Sequence, residues 1–273
     1  MLSKLMKHEF RATARLMLPL YLVVLLLAVG ARISVTWLLE ASFGVQAIDF
    51  LLHLLGVLLM IGFGAGLVAA VVVSVVIMIL RYRSNLLGDE GYVMFTLPVS
   101  THHLVWSKLL VSTVWFAGAA LVDILAVVIV VLNSHVFQNL GSIISDVIAS
   151  FSAYYAANGI LLVIELLVLL VLSAFALCLQ FYAPLSIGHS FDKHKMLLSV
   201  VFFFVIQTAS QVVSSLLVAG SLVVVNIGDL ASGLAPAITL HGTLWASILL
   251  SLLLCVVLYI INHLFLSRKL NLE

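Results

Sequence analysis

The sequence predicts an all-α integral membrane protein that crosses the bilayer six times, and three observations predict it. Of its 273 residues, 64% are hydrophobic and only 8% are charged, whereas soluble domains carry roughly 25% charged residues. The apolar residues gather into six runs, each long enough to cross a hydrocarbon core of about 30 Å as a helix of roughly 20 residues. The positive charges fall almost entirely on one side of such a six-span arrangement. A soluble fold of this length could not hide so much apolar surface, so lipid must solvate much of the chain. A net charge of +1 gives no bulk attraction for nucleic acid, and no nucleic-acid partner is expected.

The runs cover about 16–39, 50–80, 105–132, 158–182, 196–225 and 243–266. The second, at 31 residues, would be roughly 46 Å long at 1.5 Å per residue, so it must tilt or project beyond the membrane. No fixed-period repeat or low-complexity linker intervenes, and residues 1–273 read as one transmembrane domain. Residues 1–30 resemble a secretory signal, with Ala28-Val29-Gly30 as a cleavage-like site, but the long basic start favours an uncleaved first helix.

Orientation follows from the cations. Lys4, Lys7, Arg11, Arg15, Arg81, Arg83, Lys108, Lys193, Lys195, Arg268 and Lys269 share one side, leaving only Arg32 on the other. The excess of Lys and Arg marks the cytoplasmic side, so both termini are expected in the cytoplasm.

Three flanking segments carry their own patterns. In residues 1–15, Leu2, Leu5, Met6, Phe10 and Thr13 recur at helical spacing, while Lys4, His8, Arg11 and Arg15 line another face. A basic amphipathic helix of this kind lies in the membrane interface. Residues 141–155 form a second amphipathic candidate, with Ile143, Ile144, Val147, Ile148 and Phe151 on one face and Tyr154 and Tyr155 suited to the headgroup level. The segment 226–242 is apolar but interrupted by Gly228, Gly233, Pro236 and Gly242. It reads as a re-entrant piece buried in protein, with a surface loop as the alternative.

Catalytic patterns are missing. The sequence has no G-x-x-x-x-G-K-[ST] loop to cradle phosphates and no H-E-x-x-H. Gly62 and Gly66 form a small-x-x-x-small pair in an apolar helix, which favours close helix packing. His102 and His103 are adjacent and point to different faces, without further metal ligands nearby. Cys178 and Cys255 lie in apolar runs and read as packing residues. No cofactor or metal is expected on this chain.

Two carboxylates do fall inside spans, Asp123 in the third and Glu165 in the fourth. A charged group at bilayer depth costs roughly 2.5–3.5 kcal/mol on insertion scales and faces a bundle interior or a wet cavity. Each is either a cation-attracting group on a translocation path or a structural acid held by hydrogen bonds. His53 is a weaker candidate, and Gln180, Gln207 and Gln211 read as interhelical hydrogen-bonders.

The richest polar stretch is Arg81 to Ser100, expected in the cytoplasm. Gly88 can end one helix, Asp89 can cap the next, and Pro98 can set up the third span. The short helix between would present Tyr92, Val93 and Phe95 to a partner, with Asp89 and Glu90 beside them. The loop Ser186–Lys195, containing His189 and Asp192, is a smaller polar segment on the same side.

Asp89-Glu90-Gly91-Tyr92, then Phe95-Thr96-Leu97-Pro98-Val99-Ser100 and Trp106-Ser107-Lys108, resemble the ABC-2-type permeases of bacterial ATP-driven exporters. Lys4 to Leu20 and the Ser186–Lys195 loop resemble them as well, in the same order along the chain. The resemblance implies a transmembrane permease subunit in the bacterial cytoplasmic membrane. Its ATPase would be a separate ATP-binding cassette polypeptide that binds ATP and Mg, so this chain would not be an enzyme by itself. It further implies an N-terminal elbow helix, and a coupling helix in loop 84–100 that docks on the ATPase through Asp89, Glu90, Gly91, Tyr92 and Phe95. A secondary contact would come through His189 and Asp192, and a second permease, identical or related, would complete the path. Asp123 and Glu165 would line that path, and the substrate class stays open among peptides, drugs and lipids.

Three other readings compete. A secondary transporter or channel would use Asp123 and Glu165 to bind a cation, although such folds often show internal repeats that this sequence lacks. A membrane-embedded enzyme needs convergent ionisable groups at one depth. A non-transporting signalling or immunity component would keep the docking loops without a path.

Overall fold

The computed structural model describes residues 2–38, 44–96, 98–131, 141–142, 145–146, 148–150, 159–231 and 236–268, by backbone alone from 221 to 240. Among the described residues the secondary structure is helical, without strands. The long elements are α1 (Leu2–Ile33), α2 (Gln46–Tyr82), α3 (Asp89–Thr96), α4 (Thr101–Val131), α5 (Gly159–Gly188), α6 (Lys195–Ala231) and α7 (Pro236–Arg268). Single π-helical turns extend α1 over Ser34–Leu38 and α2 over Arg83–Leu87. Six helices are long and apolar enough to cross a membrane: Leu2–Leu38, Gln46–Leu87, Thr101–Val131, Gly159–Gly188, Lys195–Gly220 and His241–Ser267. The six expected spans are therefore all present as helices, most of them longer than their apolar runs.

Packing divides the chain into two compact units, to both of which α2 and α4 contribute. One comprises Ser3–Met78 and Val114–Ser142. Its core is made of small residues, Val24 and Ala28 from α1, Ala70 from α2 and Ala126 from α4, ringed by Leu25, Phe63, Leu67 and Val122. Small side chains let helix backbones approach, which is the main source of helix adhesion where no water is expelled. Leu27 lies over both glycines of the spaced pair: a Cβ on Gly66 would come within 2.9 Å of it and one on Gly62 within 3.7 Å. Arg32 donates from Nη1 to the Val130 carbonyl at 3.1 Å, satisfying one of the open carbonyls that end α4.

The N-terminal segment is not a separate element. The helix runs unbroken from Leu2 to Ile33 through Pro19, and its buried residues form one stripe, Glu9, Thr13, Met17, Tyr21, Val24, Ala28 and Ala31. That spacing of three and four keeps one face in register, so the amphipathic start continues in phase into the span. Trp115 of α4 anchors it: Nε1 donates to Thr13 Oγ1 at 2.7 Å, the ring stacks on Phe10 at 4.6 Å, and its carbonyl accepts from Tyr21 Oη at 2.6 Å. Lys4, Lys7, His8, Arg11 and Arg15 are exposed.

The second unit comprises Met1–Leu2, Ile79–Thr113 and Ile143–Glu273, and within it α5 packs along α7 and α6. Gly188 closes α5 against the start of α6, where a Cβ would stand 2.7 Å from the Lys195 carbonyl. His194, at φ 58°, is left-handed, and its carbonyl accepts the first α6 bond from Leu198 N at 3.0 Å. The expected re-entrant segment is read only in part: residues 226–231 end α6, 236–242 begin α7 and 232–235 lie outside the described residues. The amphipathic candidate 141–155 also lies mostly outside them.

Candidate coupling and intramembrane sites

The polar segment after α2 is built on a buried foundation. Tyr82, at the end of α2, is fully enclosed and stacks on Tyr182 of α5 with centroids 3.9 Å apart. Its hydroxyl donates to Asn262 Oδ1 of α7 at 2.7 Å and contacts Ser186 Oγ at 2.8 Å, while Ser186 donates to the same Oδ1 at 2.6 Å. Tyr182 in turn reaches Ser112 of α4 at 2.8 Å. Four helices are thereby tied at one level by side chains that have no water to fall back on, so each bond left unmade costs about 1–3 kcal/mol.

From Tyr82 the chain passes through the π-helical turn, with Asn85, Leu86 and Leu87 buried, to Gly88 in an extended conformation (φ −103°, ψ −165°). The Gly88 carbonyl accepts from Gly91 N at 2.8 Å. Gly88 therefore takes the capping position assigned to Asp89 from the sequence. Asp89 and Glu90 fill the first turn of α3, where carboxylates face the positive end of the helix dipole. Gly91 is buried against the turn below, while Asp89 and Glu90 are exposed. Tyr92 is 51% exposed and Val93 65%, and Phe95 is half-buried. Thr96 closes the helix by donating to the Val93 carbonyl at 2.8 Å. Beside α3, Asp89, Glu90, Arg83, Ser84, Gly88 and Leu80 line an open cleft of about 500 Å³. The short helix thus carries two exposed apolar side chains, a charged rim and an adjoining cleft, and it leaves a buried polar lattice that joins α2, α5 and α7.

The two residues of the neighbouring loop differ from each other. Asp192 is exposed, whereas His189 is only 5% exposed, with Nδ1 2.9 Å from the Leu185 carbonyl. Burial pushes the imidazole below its ordinary value; the Leu185 carbonyl opposes this, and the charges of Arg83 and Lys195 add to the lowering. Its place is inside the loop, holding the last turn of α5, with Phe191 stacked outside on Phe202 at 6.0 Å.

The intramembrane acids lie in different units, Asp123 in the first described and Glu165 in the second. Asp123 is half-buried, and its Oδ1 has no hydrogen-bond partner among the described residues. Glu165, 3% exposed, sits about 9 Å along α5 from Gly159, and its Oε2 is 2.7 Å from His241 Nδ1 of α7. One proton must lie between those two atoms, because neither a carboxylate nor an unprotonated ring nitrogen can donate. Oε1 is buried without a partner among the described residues.

Sequence reasoning missed His241, Tyr82, Ser186 and Asn262. Asn262 had a usable signal, a primary amide in the middle of an apolar span, of the kind that marks interhelical bonding. His102 is also used within the protein rather than as a ligand: Nδ1 lies 2.7 Å from Tyr259 Oη, and the ring stacks on His263 at 3.8 Å. No protein-family model, curated protein or solved structure matches the chain.

Proposed function

We propose that this chain is the transmembrane permease subunit of an ATP-driven exporter, coupled through α3 to a separate ATP-binding cassette ATPase. The observation that carries the reading is the surface of α3, where Tyr92 and Val93 stand exposed beside Asp89 and Glu90 on a helix rooted in buried Tyr82. Apolar anchors with a charged rim are the composition of a protein-docking surface. The resemblance of Asp89–Ser100 and Lys4–Leu20 to ABC-2-type permeases agrees with it. So does the absence of a phosphate loop, since the phosphoryl chemistry then belongs to the partner. On this reading the chain sits in a bacterial cytoplasmic membrane with both termini inside. A second permease completes the path, and ATP-driven closure of the ATPases is transmitted through α3 to the spans.

The Glu165–His241 pair favours a second reading, a secondary transporter or channel whose carboxylate takes up a proton or cation within the membrane. One experiment separates the two. The chain is reconstituted in liposomes with and without an ATP-binding cassette ATPase from the same cell, and export is followed with ATP or with a proton gradient. Movement that requires the ATPase and ATP supports the exporter; movement driven by the gradient without either supports the alternative.

A further inference from the structure

Where the end of α2 meets α5 and the start of α6 lies an apolar cleft of about 220 Å³. Ile79 lines it from α2, Phe181 and Leu185 from α5, and Met196, Val200 and Phe203 from α6. Met196 is 46% exposed and Val200 52%, so the α6 edge of the cleft is open to the surroundings. The one polar side chain in the lining, Ser199, is buried and donates to the Lys195 carbonyl at 2.9 Å. Water in such a recess would lack the polar partners it needs, whereas hydrocarbon would gain dispersion contacts with the walls.

The walls run into cations at one end. Arg83, exposed, stands four residues after Ile79, and Lys195, half-buried, stands four before Ser199. Each is about 6 Å further along its helix, in the same direction. Both are near enough to the buried His189 to lower its imidazole, so their charges gather at one mouth of the cleft. Lys193 is exposed beside them. The loop sets one carboxylate, Asp192, against these cations, and Arg83 also borders the cleft of Asp89 and Glu90. In the opposite direction the next turns carry Val75, Leu177 and Gln207, without charge.

We propose that this cleft binds an anionic phospholipid, with one acyl chain between α2, α5 and α6 and the phosphate among Arg83, Lys193 and Lys195. The order along the membrane normal is that of the lipid itself, charge at the interface and hydrocarbon within. Basic pockets between spans hold anionic headgroups in this way, and the excess of Lys and Arg assigns the site to the cytoplasmic leaflet. The Arg83 guanidinium can take two phosphate oxygens, while the lysines act as point charges. A free phosphate would leave the apolar walls uncovered, and a neutral lipid would leave the cations without a counter-charge. The site needs only a membrane around the spans, so it can fail separately from the exporter reading.

The full-length chain, purified in mild detergent, is titrated with phosphatidylglycerol or with phosphatidylcholine of the same acyl chains, and bound lipid is counted by native mass spectrometry. We expect one phosphatidylglycerol held at least about tenfold more tightly than phosphatidylcholine. Arg83→Gln/Lys195→Gln should weaken it roughly tenfold to thirtyfold. Val200→Trp, which narrows the open edge, should weaken it at least about fivefold. Two controls should bind as the unaltered chain does. Lys4→Gln/Lys7→Gln removes the same charge from an exposed face of α1, and Val201→Trp adds the same ring one position away, outside the lining. Glycerol phosphate, the headgroup without its chains, should compete at least about a hundredfold more weakly than the lipid. Equal affinity for the two lipids would overturn the proposal, as would equal losses in the cleft and control variants. So would competition by glycerol phosphate at lipid concentrations, or dimers of the chain that exclude the lipid, which would mean that a second copy covers the cleft.

Discussion

Tyr82 and Asn262 are 180 residues apart in sequence, yet the tyrosine hydroxyl donates to the asparagine Oδ1 at 2.7 Å in a fully buried setting. The bond fixes the point at which α2 gives way to the π-helical turn beneath α3. It therefore ties the turn from which α3 leaves to α7. A lattice of this kind holds geometry more than it adds stability, since interhelical bonds in membranes average about 0.6 kcal/mol each.

Removing one member should nonetheless be felt, because its partners stay buried. Tyr82→Phe keeps the ring stack on Tyr182 and deletes only the hydroxyl, and Asn262→Leu removes the acceptor shared by Tyr82 and Ser186. Thermal denaturation of the purified protein should show Tyr82→Phe destabilised by about 1 kcal/mol and Asn262→Leu by about 1–3 kcal/mol. The double variant should cost less than the sum, as expected for two residues of one network.

Gly188 gives a sharper steric test. A Cβ there would stand 2.7 Å from the Lys195 carbonyl and 2.5 Å from Ser199 N, both backbone atoms that no side-chain rotation can move. Gly188→Ala should destabilise the α5–α6 connection by about 1–3 kcal/mol. Gly64→Ala, where nothing lies within 4 Å, should be close to neutral. Unfolding curves of the two variants measured side by side provide the comparison.

What the sequence made legible follows from how local each signal is. Six spans could be read because each needs only its own apolar run, and α3 because Gly88, Asp89 and Pro98 punctuate it within ten or so residues. The N-terminal helix was legible as basic and amphipathic, but not as continuous with the first span. That continuity depends on the Glu9–Ala31 stripe finding Trp115 and Ala126 on a distant helix. The pairing of Glu165 with His241 was hidden for the same reason, its partner lying 76 residues away in a segment that glycine and proline mark as irregular. His189 stood in a polar loop and read as a surface contact. Only the fold reveals that the last turn of α5 carries it inside.

The burial of His189 gives a pH dependence with a definite sign. Its folded-state value is lowered below the ordinary value of about 6.5, first by burial and further by Arg83 and Lys195. Below about pH 6.5 the unfolded chain therefore binds a proton that the folded chain refuses. This contribution to stability is complete above that pH and is lost as the pH falls through the folded value. His189→Gln should flatten the fall in stability below about pH 6.5, measured by thermal denaturation across a pH series. A profile as steep as the wild type's would assign the pH dependence to another group.

The central claim, that α3 is the coupling element, is tested most directly by weakening its exposed face while leaving its foundation alone. Tyr92→Ala and Val93→Ala remove the two most exposed apolar anchors, and Tyr82, Asn262 and the Gly88 cap remain as they are. Truncating an interface anchor costs about 2 kcal/mol or more, which weakens association roughly thirtyfold. The measurement is the affinity of the purified, folded chain for the proposed partner ATPase, read with the ATP hydrolysis that the complex supports. The account predicts that each variant keeps wild-type thermal stability, binds the ATPase roughly thirtyfold more weakly and loses the stimulated hydrolysis. Wild-type affinity and full stimulation in both variants would contradict it.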